Sequence, residues 1–236
     1  MIFAGILAGG TGSRMGFDMP KQFLKIGSKP IIIHTIEKFL IMNCFERIVV
    51  AIHPEWVSYF NELLDKYLYN FRPSILITEG GTERNSSIQK LIEKIEEFYE
   101  ISDEDSIVTH DAVRPFVNVR TLLDNVKGLE QYSAIDTVVS AVDTIVVSED
   151  HKVISSIPVR GNMYQGQTPQ SFRITKFKKL YSSLDEHERA SLTDACKIFV
   201  IKGEQVGIVK GEYSNIKITT VTDLKIAQAL LEQEND

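Results

Sequence analysis

Little in these 236 residues could act as a covalent staple. The two cysteines, Cys44 and Cys196, are too few for a disulfide framework or a cysteine-only zinc site, and each reads as a buried thiol in a reducing compartment. Positive charge is not in excess: 26 Lys and Arg stand against 32 Asp and Glu, a net charge of −6. General nucleic-acid binding therefore lacks its electrostatic footprint, and any anionic ligand must be met by locally placed Arg and Lys. No apolar run reaches the roughly 20 residues of a membrane span. The opening IFAGILAGG lacks a preceding basic stretch and is broken at Gly9–Gly10, so it is not read as a secretory leader. Repeats, low-complexity tracts and linkers are also missing. The expectation is a cytoplasmic protein whose residues 1–236 form a single domain, with 43% hydrophobic content to fill its core.

What is present is an alternation of short apolar runs with amphipathic stretches. Ile2–Leu7, Arg47–Ile52, Ile75–Thr78 and Ser106–His110 read as buried strands. The spacing of Ile33, Ile36, Phe39 and Leu40 predicts a helix beginning near Pro30, and helices are also expected over Glu55–Leu68 and Arg84–Phe98. Strand–helix alternation of this kind implies a mostly parallel sheet with helices on both faces, its ligand site lying outside the carboxyl ends of the strands. Three clusters rich in glycine or charge fall on that edge: LAGGTGSR, TEGGTERN and THDAVRP. After Leu129 the texture changes. AIDTVVSAVDTIVVSEDHKVISSIPV reads as β-branched strands joined by a hairpin turn, followed by a polar segment, Arg160–Gln170. An extended hairpin needs a cover, for which a second subunit is a candidate. VGIVKG and NIKIT return to the core strand pattern, and a helix from Val221 onward closes the chain.

The glycine cluster is not a standard phosphate loop. No Lys-Ser or Lys-Thr follows a glycine at Walker A spacing. Gly10 and Gly12 match the start of a GxGxxG fingerprint, but Met15 stands in the third glycine's place and Pro20 soon interrupts any helix. What remains is a strand, a glycine loop bearing Arg14, and Lys21 seven residues beyond it. A turn with solvated charges is the plain alternative.

LAGGTGSRMG…PKQFL, GGTERNSS, HDAVRPF, YQGQTPQSF, LTDACK and NIKITT…DL, in that order over nearly the whole chain, resemble the cytidylyltransferases that act on polyol phosphates. That family includes 2-C-methyl-D-erythritol 4-phosphate and ribitol-5-phosphate enzymes, and the wording of IHTIEKF, LTDACKIF and GEYSNIKITT is similar to the second. The resemblance implies a Rossmann-like α/β fold, a mostly parallel twisted sheet with a protruding β-hairpin dimerisation arm at about 136–165. It implies transfer of a cytidylyl group from CTP to D-ribitol 5-phosphate, giving CDP-ribitol and pyrophosphate for polyol-phosphate cell-wall polymers such as teichoic acid. Methylerythritol phosphate is the alternative acceptor. An idle nucleotide-binding protein and a sugar-1-phosphate nucleotidylyltransferase are more distant readings.

Residue roles follow from the same resemblance. Arg14, Lys21 and Lys217 would be catalytic. Leu7, Ala8, Gly9, Gly10 and Gly12 would wrap the triphosphate, while Gly80, Gly81, Thr82 and Ser87 would receive the cytosine. Arg114, Asp143, Thr144, Arg160, Thr168 and Thr193 would bind the acceptor, with Arg160 completing the neighbouring site of a homodimer. Asp111 would hold Mg²⁺ together with phosphate oxygens and water. Arg84 is left between pairing with a carboxylate and touching ligand. No nucleic acid or membrane partner is expected.

Overall fold

A computed structural model describes residues 1–10 and 19–234. Strand β1 (Ile2–Ala8) lies between β4 (Ile48–Ile52) and β6 (Ser106–Asp111), all parallel, with β5 (Ile75–Glu79) outside β4. On the other side β8 (Tyr164–Arg173) runs antiparallel to both β6 and β7 (Ala134–Ser140), and β9 (Val206–Lys210) pairs parallel with β7. The seven-stranded order is β5-β4-β1-β6-β8-β7-β9, and β2 (Lys25–Ile26) and β3 (Lys29–Pro30) form a separate two-residue ladder.

Alternation along the central strands builds two cores. Ala4, Ile6 and Ala8 of β1, with Ile48, Val50 and Ile52 of β4, face α1 (Ile31–Met42) and α2 (Val57–Tyr67). Phe3, Val49 and Ala51 point the other way, toward α3 (Arg84–Glu96), α5 (Ile174–Ser182) and α7 (Cys196–Ile201). Both faces are covered, which is why the strands read as continuous apolar runs. Asn43 ends α1 in the left-handed region at φ 46°, a conformation Asn tolerates. The remaining helices are α4 (Val119–Gly128), α6 (Glu186–Ala190) and α8 (Val221–Glu234).

The expected strands and helices appear with ends moved by a residue or two, apart from Glu55–Leu68, which opens as a 3₁₀ turn over Pro54–Trp56. Four expectations are corrected. The polar segment Arg160–Gln170, given no strand in the sequence reading, is mostly part of β8, inside the sheet. NIKIT forms no strand, although Ile218 donates its amide to the Val113 carbonyl. Most of the projected arm is not an extended β-hairpin. Its first part is the sheet strand β7, and residues 141–163 carry one antiparallel bridge, Val147 to Ser156, about a turn in which Asp150 accepts from the Lys152 and Val153 amides. The β-branched side chains there find no opposing strand. Cys44 is exposed rather than buried; Cys196 is buried.

Candidate active site

The carboxyl edge of the sheet opens into a cleft of about 270 Å³. Leu7, Ala8, Gly9 and Gly10 reach it from the end of β1, Gly81 and Thr82 from the β5–α3 turn, Ser87 from the first turn of α3, and Lys21 from the segment before α1. Gln22, buried beside Lys21, donates from Nε2 to the carbonyls of Ala8 (2.7 Å) and Gly10 (2.9 Å) and so fixes the exit of β1. Across the cleft, Ser87 Oγ accepts from the Gly81 amide at 3.1 Å and donates to the Glu83 carbonyl at 2.9 Å. A side chain at Gly81 would sit 2.7 Å from the Ser86 carbonyl carbon, so the turn closes this tightly only with glycine. Gly80 does not line the cleft: its amide bonds Ile52, and a Cβ there would lie 3.2 Å from the Gly9 Cα. Its part is to let the two loops cross.

A second cavity of about 200 Å³ adjoins the first, lined by Arg114, Thr168 and Thr193 together with Gln167, Gln170 and Asp194. Arg84, Asp111 and Lys217 line both. Asp111 ends β6 and is buried. Its Oδ1 pairs with Arg84, while Oδ2 lies 2.9 Å from Lys217 Nζ and 3.6 Å from Arg114 Nε. Burial alone would raise this carboxyl, but the charges of Arg84, Lys217 and Arg114 outweigh it and hold Asp111 well below the usual carboxylate range. The Asp111 amide donates to Thr168 Oγ1, and Arg114 donates to the Asn215 carbonyl, tying the β8 edge and the segment before Lys217 to the same point. His110 points into the core beside Phe39, and burial lowers it to about 4, so it stays neutral. Asp194 Oδ1 caps the Lys197 amide, and the Thr193 hydroxyl bonds Asp194 Oδ2.

Asp111 is a fully ionised hard oxygen donor, but both its oxygens already face cations. Among the described residues no three His, Cys, Asp or Glu side chains converge. This donor set fits a divalent ion held chiefly by phosphate oxygens and water with a single protein carboxylate, not an all-protein cage.

Gly12 and Arg14 lie outside the described residues. Asp143, Thr144 and Arg160 are not brought to either cavity. They are exposed on residues 141–163, with Arg160 Nη1 donating to the Val142 carbonyl at 3.2 Å. Arg84, left open in the sequence between a carboxylate partner and a ligand, pairs with Asp111, whereas Gln22, Gln170 and Asp194 are cavity residues that sequence reasoning did not place. Arg84 had a signal, a cation three residues after a Gly-Gly turn; the amides had none.

Comparison with known proteins agrees with this arrangement. The chain matches the family IspD: 2-C-methyl-D-erythritol 4-phosphate cytidylyltransferase over residues 2–233. A ribitol-5-phosphate cytidylyltransferase of Streptococcus pneumoniae is 55% identical over 235 residues, spanning 99% of this chain and 100% of that protein. Among solved structures, the 4-diphosphocytidyl-2C-methyl-D-erythritol synthase of Anaerococcus prevotii superposes with a TM-score of 0.81 at 29% identity, covering 98% of this chain and 96% of its own. The Francisella tularensis 2-C-methyl-D-erythritol 4-phosphate cytidylyltransferase gives 0.78 at 27% identity, covering 97% and 98%. With the family match spanning nearly every residue and the sheet edge built as described, the chain belongs to the IspD cytidylyltransferase family.

Proposed function

We propose that this chain transfers a cytidylyl group from CTP to D-ribitol 5-phosphate, giving CDP-ribitol and pyrophosphate. The observation that carries the reading is the wall shared by the two cavities, Arg84, Asp111 and Lys217. A nucleotide among the glycines and a phosphorylated polyol on the β8 side would meet there, where the α-phosphate must lie for transfer. The 55% full-length identity to a ribitol-5-phosphate enzyme selects the acceptor.

The attacking group is a phosphate oxygen of the acceptor, already anionic, so no protein base is needed. Its bond to the α-phosphorus forms as the bond to the bridging oxygen breaks, and pyrophosphate leaves with that electron pair. The protein's work is alignment and charge stabilisation. Backbone amides at Gly9 and Gly10 face the triphosphate, and Gly81, Thr82 and Ser87 receive the base. Lys21 and Lys217 stabilise charge on the α-phosphate and the leaving group, and Arg14 joins them in this reading. Arg114, Thr168 and Thr193 hold the polyol phosphate. Asp111 would hold Mg²⁺, which when bound supplies divalent charge against the triphosphate. Arg160, with Asp143 and Thr144, serves the site of a second subunit in a homodimer. No helix among the described residues is long and apolar enough to cross a membrane, and we read the enzyme as cytoplasmic, feeding polyol-phosphate wall polymers.

An acceptor panel tests this: CTP with ribitol 5-phosphate or 2-C-methyl-D-erythritol 4-phosphate, followed by pyrophosphate release. Faster turnover of ribitol 5-phosphate is expected. Preference for methylerythritol phosphate would overturn the acceptor assignment and leave the chemistry standing.

A further inference from the structure

Arg84 is held from two sides. Its Nη1 pairs with Asp111, and its Nη2 lies 3.5 Å from Oε1 of Gln170. Gln170 is buried on β8, and its carbonyl is pinned by the Thr109 hydroxyl at 2.9 Å. Its Nε2 donates to Oδ1 of Asp136, its cross-strand partner on β7, at 3.0 Å. A side-chain amide presents a donor at one corner and an acceptor at the other, so its orientation matters. Turned over, Gln170 would aim Nε2–H at the Arg84 guanidinium and Oε1 at the Asp136 carboxylate, leaving both contacts repulsive. An ionised Asp136 only accepts, and therefore selects the orientation in which Oε1 faces Arg84. Burial pushes Asp136 up to about 6, with Asp194 adding to the rise and Arg84 opposing it, so the carboxylate form prevails at pH 7.5.

We propose that Asp136 and Gln170 are a positioning pair: Asp136 sets the Gln170 amide, and Gln170 holds the Arg84 guanidinium against Asp111. Neither touches the reacting atoms. The kinetic readout of this pair rests on the cytidylyltransferase reading; its spectroscopic readout does not.

The test is a charge exchange across the pair. In D136N the amide loses its fixed acceptor, and in Q170E two carboxylates face each other. In D136N/Q170E the amide and the carboxylate have changed places. The amide now on β7 can donate to the carboxylate now on β8, whose second oxygen accepts from Arg84. Each single variant is expected to lower kcat about tenfold with KM for CTP changed less than about threefold, as expected for misaligned rather than lost groups. The double variant should return to within about threefold of the starting enzyme, a coupling only contacting residues show. In parallel, the ¹⁵N side-chain signals of Arg84, assigned by R84K, should report a restrained guanidinium in the unaltered protein. They should show an averaged guanidinium in D136N and a restrained one again in the double variant. A double variant no better than the worse single in both readouts overturns the pair. If Q170E does not fold, D136N decides alone: averaged Arg84 signals support the proposal, and unchanged ones overturn it. If the unaltered protein turns over no polyol phosphate, the functional reading fails while the Arg84 signals still judge the pair.

Discussion

Lys217 lies 2.9 Å from Asp111 with 45% of its side chain exposed, whereas Arg114 in the same cluster is 11% exposed. Lys217 is thus placed to exchange the carboxylate for a phosphate when a nucleotide enters. We expect K217A to lower kcat by about 10²–10³, the usual effect of removing one transition-state charge partner, with a cooperative melting transition retained. Pyrophosphate release and a melting curve check this, and more than a tenth of normal turnover would refute the role. D111N should behave differently, because it leaves Arg84 and Arg114 half-buried and uncompensated. It should lower unfolding free energy in urea by about 3 kcal/mol or more as well as abolish turnover. Asp136 carries the opposite sign in its response to pH. Its folded pKa, about 6, lies above that of an unfolded aspartate, so its stabilising contribution is present at low pH and lost as pH rises through 6. Asp194, Arg84, Gln170 and Cys196 are the groups facing it. The stability of D136N relative to the unaltered chain should therefore improve between pH 4.5 and 7.5 by roughly 2 kcal/mol, the part of a shift of about two pK units that falls within this window. Urea unfolding at the two pH values measures it; no change, or the reverse, would show that Asp136 is not strained by its burial. A carboxylate kept charged where the fold disfavours it is the expected signature of a residue retained for the site.

At the scale of elements, the β5–α3 turn makes the sharpest prediction. In G81A the new methyl would press on the Ser86 main chain at 2.7 Å, which a rotamer change cannot relieve. The turn must shift, and Thr82 and Ser87 with it. CTP affinity by calorimetric titration should fall at least about tenfold, the effect of an ångström-scale misplacement, while α3 and the core stay folded; wild-type affinity would mean the turn does not receive the nucleotide. The same turn shows what was legible in the sequence. Strands buried on both faces announce themselves by apolar runs, so β1, β4 and β6 were readable, as was the half-buried edge strand β5 from its short ILIT run, and the loops at their carboxyl ends followed by topology alone. β8 was not readable, because its buried residues are polar: Thr168 and Gln170 meet Asp111 and Asp136, and Ser171 donates to Asn125. These partners come from remote segments, and periodicity cannot announce a strand whose interior is satisfied by hydrogen bonds. Gln22 and Gln170 escaped for the same reason, since an amide that holds a loop or a guanidinium carries no motif of its own. The projected arm failed in the other direction. Its β-branched composition favours strands, but beyond the β7–β8 pairing, among the described residues, only Val147 and Ser156 of residues 141–163 form a bridge.

Within the whole molecule, that segment is where the surface is least finished. Val142, Val146, Val147, Val153, Ile154, Ile157, Val159 and Tyr164 are all exposed, a concentration of apolar side chains that a soluble surface ordinarily covers. Asp143, Thr144 and Arg160, the acceptor residues implied by family resemblance, lie on this segment and line neither cavity of their own chain. The proposed two-fold dimer would resolve both facts at once, burying the apolar stretch and delivering Arg160 to the partner's acceptor cavity. The arrangement makes a quantitative prediction. Under this proposal K21A would damage the site of its own subunit and R160A that of its neighbour, so homodimers of either variant should be nearly inactive. In an equal mixture that has exchanged subunits, half the dimers are mixed. Each mixed dimer holds one doubly damaged site and one intact site, so turnover should recover to about a quarter of the unaltered enzyme. Pyrophosphate release before and after exchange measures this, with size-exclusion chromatography confirming a species of about twice 26.7 kDa. If R160A alone retains full turnover, or the mixture recovers nothing, Arg160 does not act across the interface. The exposed segment would then need a different cover, and the acceptor cavity a phosphate clamp drawn from its own chain.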